Sequence, residues 1–254
     1  MKKLLAITAL SAALFFGQTA VAEEKAAEEV KPSHVEMVLV LDESGSMSDL
    51  TRDTIGGFNS MIEKEKKLDV DAHVTTVLFN DQYKMLYNRR ELKDVSKMTD
   101  KDYTPGGMTA LLDAVGRTIH KMDMVSGIHR KDKGNKVLFV IITDGEENDS
   151  REYTYADVKK LIKDRQENAG WEFIFLGANI DAAAAAENLG IDRDRAVKYK
   201  NTGSGVRANF KAVAELSDSL AKSGRVSDEW KETVEKDEDD AADKQSAAVT
   251  LHRR

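Results

Sequence analysis

The chain has 254 residues, no cysteine, two prolines and a formal net charge of −7, with 41% hydrophobic and 33% charged residues. The missing cysteines exclude a disulfide framework, a thiolate metal site and a cysteine nucleophile. So few prolines beside so much apolar content exclude a collagen-like or wholly disordered chain. The net acidity argues against nucleic acid as a partner.

Residues 1–22, MKKLLAITALSAALFFGQTAVA, combine a short positive end (Lys2, Lys3), an apolar run from Leu4 to Phe16 and the small residues Ala20-Val21-Ala22. This is the pattern of a cleavable secretory signal peptide. The rival is an uncleaved anchor, because the apolar run approaches the roughly 20 residues that span a bilayer. Gly17, Gln18 and Thr19 interrupt its end. No later stretch is apolar enough to cross a membrane, so no span is expected in the mature chain, which is placed in the periplasm or the medium. Residues 23–33 read as a charged, Ala-rich linker containing Pro32.

Val35 to Leu41 is an apolar run broken only by Glu36, which predicts a central strand of a parallel sheet. Ile55, Phe58, Met61 and Ile62 follow at helical spacing within 49–67. Residues 70–79 are rich in β-branched side chains and predict a second strand. The Asn80-Asp81 turn signal then returns Gln82 to Tyr87 as an antiparallel edge strand. Leu111, Val115, Ile119 and Met122 form one helical stripe, and Lys136 to Thr143 is the most apolar strand. Val158, Leu161 and Ile162 mark a helix, Glu172 to Ala178 a strand, 181–189 an Ala-rich helix and Ala196 to Tyr199 a short last strand. Val206, Phe210, Val213 and Leu220 place an apolar face on a final helix.

Strands alternating with helices predict an α/β domain over 34–222, with a doubly wound, mostly parallel sheet, helices on both faces and one antiparallel edge strand. Strands 35–41 and 137–143 should be central. Residues 223–254 are expected to be an acidic, solvated tail, disordered or weakly helical: nine acids face two lysines between Asp228 and Asp243. Its functional rival is a cation- or partner-binding tail.

Three pieces of sequence fall at predicted strand ends: Asp42-Glu43-Ser44-Gly45-Ser46, Pro105-Gly106-Gly107-Met108-Thr109 and Thr143-Asp144-Gly145-Glu146. In open α/β sheets, ligands bind beyond the carboxyl ends of strands where the winding reverses. If the first and fourth strands are neighbours there, the three pieces converge. Asp42, Ser44, Ser46, Thr109 and Asp144 supply only oxygen, which suits a hard cation, Mg²⁺ (or Mn²⁺) before Zn²⁺. Three hydroxyls and two carboxylates leave an exchangeable position. An ion held with so little charge stays electrophilic and attracts an Asp or Glu carboxylate from outside.

DESGS after an apolar strand, GGMT before a helix and TDG after a second apolar strand resemble a von Willebrand factor A domain of the bacterial, stand-alone, exported type. The resemblance covers residues 34–222. It implies that Asp42, Ser44, Ser46, Thr109 and Asp144 form a metal-ion-dependent adhesion site, completed by an acidic residue of a protein partner.

The expected function is therefore a non-enzymatic, metal-dependent protein-binding module of the bacterial envelope, acting as a monomer. Two alternatives stand beside it. One is a Mg²⁺-dependent, phosphatase-like hydrolase, since divalent cations activate water; the carboxylate-rich two-metal cluster of such enzymes is absent. The other is a metal-free scaffold acting through its acidic tail.

Plainer readings apply to other residues. Asp42, Ser44 and Ser46 taken alone are also a hydrogen-bonded turn, and Thr109 is a candidate N-cap. Glu146, Glu147 and Asp149 read as a solvated loop. Gly203-Ser204-Gly205 lacks a third glycine and a phosphate-binding lysine and reads as a turn. Trp171 reads as packing. His34, His73, His120, His129 and His252 show no HExxH pattern or paired spacing, and none is assigned to catalysis. The acidity itself sits at the ends: residues 226–254 hold nine acids against five bases, and 23–31 four against two. The domain between them is close to neutral and does not strongly repel an acidic partner.

Overall fold

In the computed structural model, which describes residues 34–67, 71–125 and 135–236, the apolar run after the charged linker forms β1 (His34–Asp42). A single 3₁₀ turn, Gly45–Leu50, leads into α1 (Thr51–Glu65). There follow β2 (Ala72–Phe79), β3 (Tyr83–Glu91), α2 (Leu111–Asp123) and β4 (Asn135–Thr143). The chain continues through α3 (Tyr155–Asp164), β5 (Glu172–Gly177), α4 (Ala182–Leu189), β6 (Ala196–Lys198) and α5 (Gly203–Ser223). The signal peptide and linker expected over 1–33 lie outside the described residues.

The six strands form one sheet in the order β3-β2-β1-β4-β5-β6. β1 pairs in parallel with both β2 and β4, while β3 pairs antiparallel with β2 at the edge. β3 runs to Glu91, four residues past the expected end at Tyr87. Its last residues, Asn88-Arg89-Arg90-Glu91, are polar because an edge strand presents one side to water.

Two apolar layers cover the sheet. Val35, Met37, Leu39 and Leu41 of β1 pack with Phe58 and Met61 of α1 and Phe210 and Leu216 of α5. Val38 and Val40 face the other way, onto Val115 and Ile119 of α2, Ile162 of α3 and Ala186 of α4. The strict alternation along a strand buried on both faces explains why β1 and β4 read as continuous apolar runs. Trp171 stacks on Phe139 and Phe173 inside the second layer, with ring centroids 6.4 and 6.0 Å away, so it is a packing residue. Close approach of α1 to α5 requires glycine at 57, where a Cβ would lie 2.5 Å from a ring carbon of Phe210.

Two expectations need correction. The acidic segment from 223 was expected to be solvated, but its first part is folded: residues 230–236 are helical, and Trp230 and Val234 are 2% and 1% exposed. Gly224, at φ 71°, ends α5 and turns the chain back. Ser219 Oγ on α5 then accepts the Ser227 N–H at 2.9 Å, and Thr233 donates to Glu215 at 2.6 Å. The charges of 228–236 lie on the outer side of this turn, which hid Val226, Trp230 and Val234 in an acidic average. The histidines, read as unpaired, also meet: His34 Nε2 lies 2.9 Å from His73 Nδ1, because β1 and β2 run side by side.

Trp230 fills the layer formed by α1 and α5. Trp230→Ala is expected to lower unfolding free energy by about 3–5 kcal/mol in urea titrations, whereas Lys236→Ala, on the exposed side, stays within about 0.5 kcal/mol.

Glu65, 2% exposed between α1 and α5, accepts a 2.5 Å hydrogen bond from Ser217. Burial pushes its carboxyl from the ordinary 4.5 up to about 7, against the opposing pull of Ser217. The folded state therefore holds this proton more tightly than the unfolded chain. Stability from this group is full below pH 4.5 and falls as pH rises to about 7, a loss of roughly 3 kcal/mol. Melting curves of Glu65→Gln should show a shallower decline between pH 5 and 8 than those of the parent protein.

Candidate metal centre

The sheet reverses its winding between β1 and β4, so the loops after these strands leave in different directions and open a crevice at their carboxyl ends. Asp42 is the last residue of β1 and is 1% exposed. One of its oxygens accepts the Ser44 N–H at 2.7 Å, and the other accepts the Thr143 hydroxyl at 2.6 Å. The first bond turns the chain sharply after β1; the second ties β1 to β4. Tyr103, itself 1% exposed, donates its hydroxyl to the Asp42 carbonyl at 2.6 Å.

From Asp42 the polar side chains step outward. Ser44 is buried, and its Oγ lies 3.1 Å from the exposed Ser46 Oγ. Ser46 in turn donates to Asp144 Oδ1 at 2.5 Å. Asp144, 1% exposed, also accepts from the Asn201 amide at 3.2 Å on Oδ2, and Asn179 donates to its carbonyl at 3.2 Å. Asp42, Ser44, Ser46 and Asp144 thus form one connected chain that begins in the core and reaches solvent.

Thr109 approaches from the third loop. Its hydroxyl lies 3.8 Å from where a Cβ on Gly145 would stand, above the end of β4. The N-cap of α2 is Ala110, which makes no side-chain cap bond, so the Thr109 hydroxyl is not spent on the helix. The loop is fastened to its neighbours through backbone: Gly106 N–H to Glu43 O at 2.9 Å, Gly45 N–H to Gly107 O at 3.2 Å and Ala110 N–H to Asn80 O at 2.9 Å. Gly107 has φ 76°, and a Cβ there would overlap the Asp81 carboxylate, so only glycine fits.

The acidic loop after Asp144 is less solvated than its composition implies. Glu147 accepts the Leu112 N–H at 2.9 Å, Ser150 Oγ the Asp113 N–H at 3.0 Å and Asn148 the Thr109 N–H at 2.8 Å. These side chains satisfy the free donors at the start of α2. Asp113 reciprocates by accepting the Arg151, Glu152 and Tyr153 N–H groups, each at 2.9 Å. Burial raises the Asp113 carboxyl, but the three backbone bonds outweigh it and hold the pKa below its ordinary value. Glu147 is thus a structural acid that ties its loop to the start of α2, while Asn148 holds Thr109 through its side chain at 2.8 Å and its backbone N–H at 3.0 Å.

Asp42 and Asp144 are both buried, and among the described residues the bonds to their carboxylates come from neutral donors: the Ser44 N–H, the Thr143 and Ser46 hydroxyls and the Asn201 amide. Burial raises the Asp42 carboxyl, opposed by bonds from Ser44 and Thr143, with the charge of Asp144 adding to the rise. Burial also drives the Tyr199 phenol well above its usual range, and Asp144 and Asp42 push it the same way. Two buried carboxylates without a side-chain cation are costly. The donor set therefore fits a hard dication, which would neutralise both. Sequence reading missed Tyr103, Asn179 and Asn201, which brace the pair from distant loops; Thr143, directly before Asp144, was the one supporting residue a motif could flag.

Comparison with known proteins supports this picture at the level of family and fold. A family model described as the von Willebrand factor A domain found in the C terminus of TerF matches residues 34–191. No curated protein matches the chain. Among solved structures, the domain of the type V pili tip protein Mfa5 from Porphyromonas gingivalis aligns at 12% identity and TM-score 0.53, covering 78% of this chain and 99% of that one. The PilB minor pilin from Streptococcus sanguinis aligns at 14% identity and TM-score 0.51, covering 72% and 61%. A von Willebrand factor type A protein from Catenulispora acidiphila aligns at 15% identity and TM-score 0.50, covering 72% and 42%. Such low identities establish the fold alone, and the chain matches only 42% to 61% of the length of the last two proteins. The family match, over more than half the chain and all three strand-end motifs, decides the matter: this chain belongs to the TerF-like von Willebrand factor A family.

Proposed function

We propose that this protein is a non-enzymatic, divalent-metal-dependent protein-binding module, exported through its signal peptide to the periplasm or the medium. The observation that supports it is the pair of buried carboxylates, Asp42 and Asp144, which accept from neutral donors among the described residues and are linked through Ser44 and Ser46 to the surface. Asp42, Ser44, Ser46, Thr109 and Asp144 would hold Mg²⁺ or Mn²⁺. The ion would supply a Lewis-acidic point for an Asp or Glu carboxylate of a partner. Ser46 is exposed, and Met108, next to Thr109, is 50% exposed, so a partner reaching the ion would also find an apolar contact beside it.

The chemistry of the rim favours binding over hydrolysis. The groups hydrogen-bonded to the two carboxylates are hydroxyls, amides and backbone, none of which is a general base at neutral pH. A carboxylate ligand from a partner would occupy the position that a hydrolase gives to water.

Calorimetric titration of Mg²⁺ and Mn²⁺ into the protein should show one site, lost in Asp144→Ala. Capture from envelope extract on immobilised protein should then require Mg²⁺ and reverse with EDTA. Absence of Mg²⁺ and Mn²⁺ binding to the parent protein overturns the proposal, as does Mg²⁺-dependent phosphatase or esterase turnover that disappears in Asp42→Ala.

A further inference from the structure

The opposite end of β1 holds a second cluster with different chemistry. His34 and Glu36 are two residues apart on β1, so both point to the same face of the sheet. His73 of β2 is the register partner of Glu36, which brings a second imidazole beside the same carboxylate. His34 Nε2 lies 2.9 Å from Glu36 Oε1 and 2.9 Å from His73 Nδ1, and His73 Nδ1 lies 3.6 Å from Glu36 Oε1. Three ligands of a tetrahedral zinc ion stand about 3.3 Å apart. The two ring nitrogens and the Glu36 carboxylate therefore already gather at close to the size of one face of such a site, with the distances running to Oε1, the oxygen that Arg89 also holds.

Three further observations point the same way. Glu36 is only 3% exposed, yet its Oε2 has no hydrogen-bond partner among the described residues. An ionised oxygen left so is costly, and a cation would satisfy it. His34 turns its other nitrogen, Nδ1, to the Asp71 carboxylate at 3.2 Å. That is the outer contact which orients a metal-ligating histidine and leaves Nε2 aimed inward. Arg89 bonds Glu36 Oε1 through Nε at 3.0 Å and also through Nη2. It adopts φ 46° next to register shifts in the β2–β3 ladder, a conformation that re-aims its side chain toward Glu36. The guanidinium holds Oε1, and its Nη2 lies 3.4 Å from His73 Nδ1, so an ion would take the unpartnered Oε2 after rotation of the carboxylate, with Arg89 remaining on Oε1.

We propose that His34, Glu36 and His73 form a second cation site, selective for a transition-metal dication of the zinc type, with Asp71 and Arg89 as its outer supports. Two imidazoles and a carboxylate suit Zn²⁺ and leave a fourth position to water or a ligand. This site is independent of the binding function proposed above, which concerns Mg²⁺ and oxygen ligands.

The test uses full-length protein without an affinity tag and Zn²⁺ competed against a chromophoric chelator, in excess Mg²⁺. The parent protein and Asp144→Ala are both expected to bind one Zn²⁺. His73→Gln and His34→Gln should weaken that binding by at least about 100-fold, and Asp71→Asn by about 10-fold, the ranges set by ligand and outer-support loss. Imidazole ¹⁵N spectra of the parent protein, which need no variant to fold, should show His34 and His73 shifting with Zn²⁺ while His120 stays still. Unmoved His34 and His73 resonances overturn the proposal and leave a hydrogen-bonded network only. So does Zn²⁺ binding that survives His73→Gln but vanishes in Asp144→Ala, which would put the ion among the oxygen ligands.

Discussion

The parallel pairing of β1 with β4 is the constraint on which the rest of the structure depends. β2 and β3 lie on one side of β1, β4 to β6 on the other, so the chain must reverse its direction of winding between these two strands. Loops leaving their carboxyl ends diverge, and the backbone there loses the neighbours that close the sheet elsewhere. Asp42 stands at that opening. By accepting from Ser44 on its own loop and from Thr143 on β4, it replaces backbone pairing with side-chain bonds at the one place where the sheet cannot continue. The same residue is both the seam of the fold and the floor of the candidate metal centre.

The surrounding charges divide into two kinds of work. Glu147 and Asp113 spend their negative charge on backbone N–H groups, one at the start of α2 and the other along the loop beside it. Their bonds are local and internally satisfied, which makes the frame around Thr109 rigid. Asp42 and Asp144 instead accept from neutral donors among the described residues. Such an arrangement resists collapse without a bound ion, because the surrounding loops do not depend on the ion for their own hydrogen bonds.

Much of this was legible in the sequence, and the reasons are physical. β1 and β4 are buried on both faces, so their apolar runs identified them as central; that they are neighbours is shown by the sheet itself. The strand-end motifs were legible because the turn after β1 needs Asp and Ser, and the turn at Gly107 needs a positive φ. What escaped has one cause: it depends on contacts between distant segments. Trp230 looked like part of an acidic tail because its neighbours are charged, and only the fold shows it buried in the same apolar layer as α1 and α5, with its segment hydrogen-bonded to α5. Tyr103 and Asn201 support Asp42 and Asp144 from loops whose own sequence has no pattern. His34 and His73 are separated by a helix and a turn, and no local spacing could reveal that they are register neighbours.

The even-numbered positions of β1 connect these features. His34 and Glu36, then Val38 and Val40, then Asp42 all project from one face of the strand. The middle pair is buried in the layer beneath α2, so the polar ends are separated by apolar packing. Glu36 and Asp42 are six residues apart, about 20 Å along a strand, a separation at which two unit charges interact by about 0.8 kcal/mol at an effective dielectric of about 20. Charge placed at one end is therefore felt weakly at the other. Two cations of different hardness, one among oxygens at the carboxyl end and one among imidazoles at the amino end, would bind to the same strand as independent events. Coupling carried by the strand would require displacement of β1, which is paired on both edges and packed on both faces and so resists such a shift.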